Sequence, residues 1–156
     1  MPISAKLAET PAPPYERRRV MALAARATLD ELRGALAMLG APDAVDLRPI
    51  ETGLVMLRGR TGGDGAPFNL GEATVTRAAV RIPSGEVGFA YLLGRDAARA
   101  RAAAVLDAMA QRVGAQAVAD GALAGVRDRV AAEDATAAAR AAATKVDFFT
   151  MVRGED

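Results

Sequence analysis

The hydrophobic period of this chain switches twice, from helical to alternating and back. That double switch constrains the fold more than any other feature. From Glu72 to Ile82 the residues Thr74, Thr76, Ala78, Val80 and Ile82 share one face of an extended strand. Pro83-Ser84-Gly85 interrupts as a turn, and Val87, Phe89, Tyr91 and Leu93 then alternate again. Upstream, Leu54 to Arg58 is short, apolar and strand-like, while Val45 and Leu47 alternate with polar neighbours until Pro49 breaks the run. Thr61 to Pro67 (TGGDGAP) is a turn, with Asp64-Gly65 suited to a tight hairpin. These connections are too short for parallel crossovers, so the spacing predicts an antiparallel meander of about four strands.

The flanks read as helices. Pro14 fits the first turn of a helix that places Val20, Leu23 and Ala27 on one side. Thr28 and Glu31 have capping-box spacing for a second helix with Leu29, Leu32, Leu36 and Leu39 as its stripe, ended by Gly40 and Pro42. Beyond Gly94, Asp96 caps a long helix that aligns Ala102, Leu106, Met109 and Val113. Gly114 to Gly121 weakens the pattern, and an Ala-rich helix then runs from Ala122 to Ala143 with Leu123, Val126 and Val130 on one face. The expected class is α+β: two N-terminal helices, an antiparallel sheet of about four strands, C-terminal helices and an extended apolar tail. Residues 1–13, small, polar and Pro-rich, read as a flexible tail ahead of a single domain spanning 14–156.

Composition sets the chemistry. The chain of 156 residues is 51% hydrophobic but 4% aromatic, so its core is built from Leu, Val and Ala and suits a domain that leans on a partner. Net charge is +1, with no basic surplus for nucleic acid or a membrane surface. Cys and His are both absent. That removes disulfides, thiol catalysis, Cys/His zinc sites, iron–sulfur ligation and every triad with an imidazole base. The N-terminal stretch has no apolar core of a signal peptide, and no run approaches the ~20 apolar residues of a spanning helix, so a cytoplasmic protein is expected.

Candidate sites follow from this inventory. Arg77 and Arg81 lie on one face of a strand, and Arg95 falls at a helix start, so the three are candidates for binding a phosphate or phosphonate oxyanion. Solvation, or pairing with Glu72, Glu86 and Asp96, is the competing account. Glu51 opens a strand as a lone carboxylate with no second acid placed beside it. The Gly59–Gly65 loop lacks the Gly-Lys-Ser/Thr of a P-loop and reads as a hairpin turn. Two tightly joined helices invite a helix-turn-helix reading, but the second opens with Asp30 and Glu31, which repel phosphates. The C-terminal segment 146–154 is unusual for a terminus. Val146, Phe148 and Val152 lie on one face of a strand and Phe149 and Met151 on the other. It either returns as an edge strand of its own sheet or packs into a partner subunit.

Four segments together resemble the PhnG family, a subunit of the bacterial carbon–phosphorus lyase core complex. They are Glu51-Thr-Gly-Leu-Val55, Phe68 through Arg81, Leu93-Gly-Arg-Asp96, and Val146 through Gly154; the likeness runs from Arg17 to Gly154. The resemblance implies a role in organophosphonate catabolism, in a symmetric assembly with subunits called I, H and J. The committed step attaches an alkylphosphonate to the ribose C1 of ATP with release of adenine. The I subunit looks like the nucleosidase centre, and the J subunit is a radical iron–sulfur enzyme that later cleaves the carbon–phosphorus bond. The chain itself is then expected to bind no cofactor, with ATP and the alkylphosphonate as substrates of the complex, and to be inactive alone. No position carries over as catalytic. The alternatives are a stand-alone enzyme using Arg77, Arg81, Arg95 and Glu51 on a phosphorylated substrate, and a small DNA-binding regulator.

Overall fold

A computed structural model describes residues 14–60, 65–112 and 114–145. The elements run α1 (Pro14–Arg26), α2 (Leu29–Met38), β1 (Val45–Asp46), β2 (Glu51–Arg60), β3 (Pro67–Arg81), β4 (Val87–Leu93), α3 (Ala97–Ala110), α4 (Ala115–Ala122) and α5 (Ala124–Ala143). The α+β architecture, with helices at both ends of an antiparallel four-stranded sheet, is the one the changing period predicts. The apolar tail expected at Val146, Phe148, Phe149, Met151 and Val152 lies outside the described residues.

β3 is the centre of the sheet. β4 pairs with its C-terminal half on one side, from Val75↔Leu93 to Arg81↔Val87. On the other side β2 pairs from Glu51↔Arg77 to Arg60↔Pro67, and the two-residue β1 pairs with Val80 and Arg81. The even residues Thr76, Ala78 and Val80 of β3 and Ile82 just beyond it are buried, as are Gly88, Ala90 and Leu92 of β4. The inward face of β4 is therefore its small-residue face, and the larger Phe89, Tyr91 and Leu93 point to the outer, half-exposed side.

Small residues let a helix approach closely. α3 is buried at every position from Ala102 to Ala110, because the sheet lies against one side and α1, α2 and α4 against the others. Its alanines keep the backbone within reach on all sides. At Gly88 the approach is closest: a Cβ there would lie 1.9 Å from the Ala104 carbonyl oxygen. Capping follows the sequence signals. The Thr28 hydroxyl accepts from the Glu31 N–H while the Glu31 carboxylate accepts from the Thr28 N–H. The Asp96 carboxylate accepts from the Arg99 N–H at the start of α3. Gly114, at φ 73, supplies a left-handed turn before α4, an element that this glycine, the internal Gly121 and a single buried residue, Ala119, hid from periodicity.

One strong polar cluster ties the helices to the sheet. Asp107, on α3, is 1% exposed. It accepts from Arg17 Nε at 2.7 Å and Nη2 at 2.6 Å, and from the Phe89 backbone N–H at 2.8 Å. One turn on, Gln111 Nε2 donates to the Val87 carbonyl at 2.8 Å. These contacts occupy backbone groups on the outer edge of β4, which is where an open sheet invites further strands.

Candidate functional site

β2 and the first half of β3 leave the body of the domain as a two-stranded arm. β4 pairs with β3 only from Val75 onward and Gly94 adds one bond to Thr74, so residues 67–73 of β3 have β2 as their sole strand neighbour among the described residues. The first six residues of β3 are exposed, and so are eight of the ten residues of β2. The arm is nevertheless apolar. Leu54, Met56, Leu57, Phe68 and Leu70 are between 44% and 63% exposed. Side chains alternate along β2, so the run Leu54-Val55-Met56-Leu57 presents apolar groups on both faces of the ribbon. Register shifts between Leu57 and Arg58: Leu57 pairs with Gly71 and Arg58 with Asn69, leaving Leu70 as the extra residue of a bulge. An isolated two-stranded ribbon is marginal in water. A clustered, exposed apolar surface marks an interaction site.

The outer sheet face continues this character. Leu93 pairs with Val75, Tyr91 with Arg77 and Phe89 with Ala79, and all three larger residues are half or more exposed. Beside them, Phe89 and Tyr91 form the sheet wall of a cleft of about 450 Å³, with Arg17, Arg18 and Met21 of α1 opposite.

The sequence-predicted arginines do not converge. Arg77 is held by Glu51, the residue directly across the β2–β3 ladder, through Nε at 3.0 Å and Nη2 at 2.6 Å. Arg48 adds a third contact to Glu51 at 3.2 Å. Arg77, more than Arg48, holds the Glu51 carboxyl below the usual carboxylate range. Pairing is thus the account that holds for Arg77, though its partner is Glu51, across the ladder, and none of Glu72, Glu86 and Asp96. Arg81 sits at the far end of the ladder, opposite Val45 and Val87. Arg95 follows Leu93, whose partner Val75 is six residues from Arg81, about 20 Å along the strand. At the start of α3 the Asp96 carboxylate takes the helix N–H beside Arg95. The three arginines are thus spread along the sheet.

The arm and the Asp107 cluster are what sequence reasoning missed. The signal for the arm was present: four consecutive apolar residues at 54–57, then Phe68 and Leu70 across a glycine-rich turn. Asp107 gave no local signal, because its partners lie 90 and 18 residues away in the chain.

A family model described as Phosphonate metabolism protein PhnG matches residues 15–154. The chain is also 54% identical, over 142 residues, to a protein of Rhizobium meliloti (strain 1021). That protein is named "Alpha-D-ribose 1-methylphosphonate 5-triphosphate synthase subunit PhnG". The alignment covers 90% of this chain and 91% of that relative. With a family match across nearly its whole length and a relative of this identity, the chain belongs to the PhnG family of phosphonate metabolism proteins.

Proposed function

We propose that this chain is the G subunit of an alpha-D-ribose 1-methylphosphonate 5-triphosphate synthase, acting in a cytoplasmic assembly with I, H and J subunits. The family match and the name of the 54% identical relative support the assignment. The observation that carries the subunit role is the arm: five large apolar side chains on a ribbon with no described neighbour beyond its own two strands. A domain that works alone has no use for such a surface, and a subunit covers it.

In the reaction, a phosphonate oxygen forms a bond to the ribose C1 of ATP as the bond to adenine breaks. The chain has no His and no Cys, so an imidazole base or thiolate for this step comes from elsewhere in the assembly. This chain contributes by shaping and stabilising a partner that holds the reacting groups. Its Arg77, already engaged by Glu51, serves the sheet first. No helix among the described residues is long and apolar enough to cross a membrane.

Adenine release from ATP plus methylphosphonate tests the proposal. The pure chain is expected to release none; co-expressed I, H and J subunits with the chain release adenine, and without it lose most of that activity. Release by the pure chain would establish a stand-alone enzyme instead.

A further inference from the structure

The two edges of the sheet are treated differently. On β4 the outward-facing Phe89 N–H and Val87 carbonyl are taken by Asp107 and Gln111. On β2 the outward-facing groups are bare, and which ones they are follows from the ladder. Thr74 O accepts from the Gly94 N–H at 2.9 Å on the β4 side of β3, and Ala79 O accepts from the Leu47 N–H at 2.9 Å on the β1–β2 side. Backbone groups alternate in direction along a strand, so the odd residues of β3 face β2. Their partners Glu51, Gly53, Val55 and Leu57 point inward. Thr52, Leu54 and Met56 therefore direct N–H and C=O away from β3, and among the described residues these backbone groups meet no partner.

We propose that this bare edge of β2 receives an extended strand from another subunit of the synthase, turning the two-stranded arm into a three-stranded one. The inference rests on the subunit reading above and specifies how the contact is made. Three observations carry it. A ribbon of two strands is marginal where three are stable. The exposed edge contains no Lys or Pro, its charged residues Glu51, Arg58 and Arg60 lie towards its ends, and its central residues 54–57 are uncharged and apolar. Charge completes the pattern: Thr52, Leu54, Met56, Arg58 and Arg60 follow one another on one face, apolar in the middle and basic towards the tip. Among the described residues Arg60 donates to the Gly65 carbonyl, and neither arginine has a carboxylate partner there. The incoming strand is thus one with apolar side chains opposite Leu54 and Met56 and an Asp or Glu opposite Arg58 or Arg60. Main-chain bonds supply affinity and these side chains supply register.

The test is amide hydrogen exchange on the full-length chain, alone and in complex with co-expressed I, H and J subunits. Strand addition slows the Leu54 and Met56 amides on the order of 100-fold on assembly, while Gly53 and Val55, already bonded to β3, change little. Met56→Pro removes one outward N–H without touching a β2–β3 bond, which edge strands tolerate. It is expected to cut recovery of the complex by more than ~10-fold, with Met56→Val near wild type. Circular dichroism of the isolated Met56→Pro chain shows that it folds. If the complex forms while the Leu54 and Met56 amides exchange as before and Met56→Pro assembles normally, strand addition is wrong and the subunit reading stands. If no complex forms, both fall. Two results with the isolated chain would also overturn the proposal. Protection that vanishes on dilution makes the occupant a second copy, and protection that vanishes when the chain ends at Lys145 makes it the chain's own C-terminal segment.

Discussion

Gly88→Ala is expected to be among the most damaging single-methyl changes in this protein. The added Cβ would sit 1.9 Å from the Ala104 carbonyl oxygen and 2.6 Å from the Ala108 nitrogen, both in the backbone of α3. Ordinary carbon–oxygen contacts begin near 3.3 Å, so α3 has to retreat from β4 by more than about 1 Å. No side chain can rotate to absorb this. α3 is buried against the sheet on one side and helices on the others, so its retreat disturbs the whole core. Overpacking generally costs ~1–3 kcal/mol, and a clash with backbone belongs at the upper end, about 3 kcal/mol. With a urea m-value of ~2 kcal/mol/M, the unfolding midpoint falls by ~1.5 M. Gly53→Ala is the control: its new Cβ meets nothing within 4 Å, and the midpoint should move by no more than ~0.25 M. Equal midpoints for Gly88→Ala and wild type would refute the close seating of α3 on β4, and with it the account of why this helix is alanine-rich.

Three further outcomes follow from the polar contacts. Arg17→Ala strands the buried Asp107 carboxylate with only the Phe89 N–H, and should cost about 2–3 kcal/mol in urea unfolding. Removing Asp107 as well should cost clearly less than the two single changes added together. Arg129, with the Thr28 N–H, holds the Glu31 carboxyl down to about 2. Its folded value lies below the unfolded one of about 4.3, so this stabilisation is complete above that pH and lost as pH falls towards 2. The midpoint gap between wild type and Glu31→Gln should accordingly be constant above about pH 5 and close near pH 2. Arg77→Met breaks only an exposed pair and should alter stability by less than ~1 kcal/mol and adenine release by the assembly by less than threefold. A loss above tenfold at unchanged stability would place Arg77 against substrate.

The sequence carried the class of fold because each signal was local. The alternation from Thr74 to Ile82, the capping box at Thr28 and Glu31, and the cap at Asp96 depend on residues within a few positions, and each appears where expected. The limits of the strands were harder. Alternation marks a strand only where one face is buried and the other wet, which holds along β4 and, Ala79 apart, for residues 76–81 of β3. At 54–57 both ribbon faces are apolar and both are exposed, so the pattern gives a short hydrophobic run and conceals a ten-residue strand. The pairing of Arg77 with Glu51 and of Arg17 with Asp107 depends on register and on helix packing across 26 and 90 residues. Neither is written in local sequence. The resemblance to PhnG was legible because it rests on ordered motifs, whereas the surface that makes a subunit of this domain needed the sheet to be laid out.

The central claim is that the arm exists to be covered by the rest of the synthase. The direct test is co-purification of I, H and J subunits with a tagged full-length chain, in wild type and in a variant with Leu54, Leu57, Phe68 and Leu70 all replaced by Thr. The wild type should bring the other subunits through size exclusion in fixed proportion. The variant should remain folded and monomeric alone while losing at least ~10-fold of its partner recovery. A variant that captures the other subunits as well as wild type would contradict the claim and put the interface elsewhere.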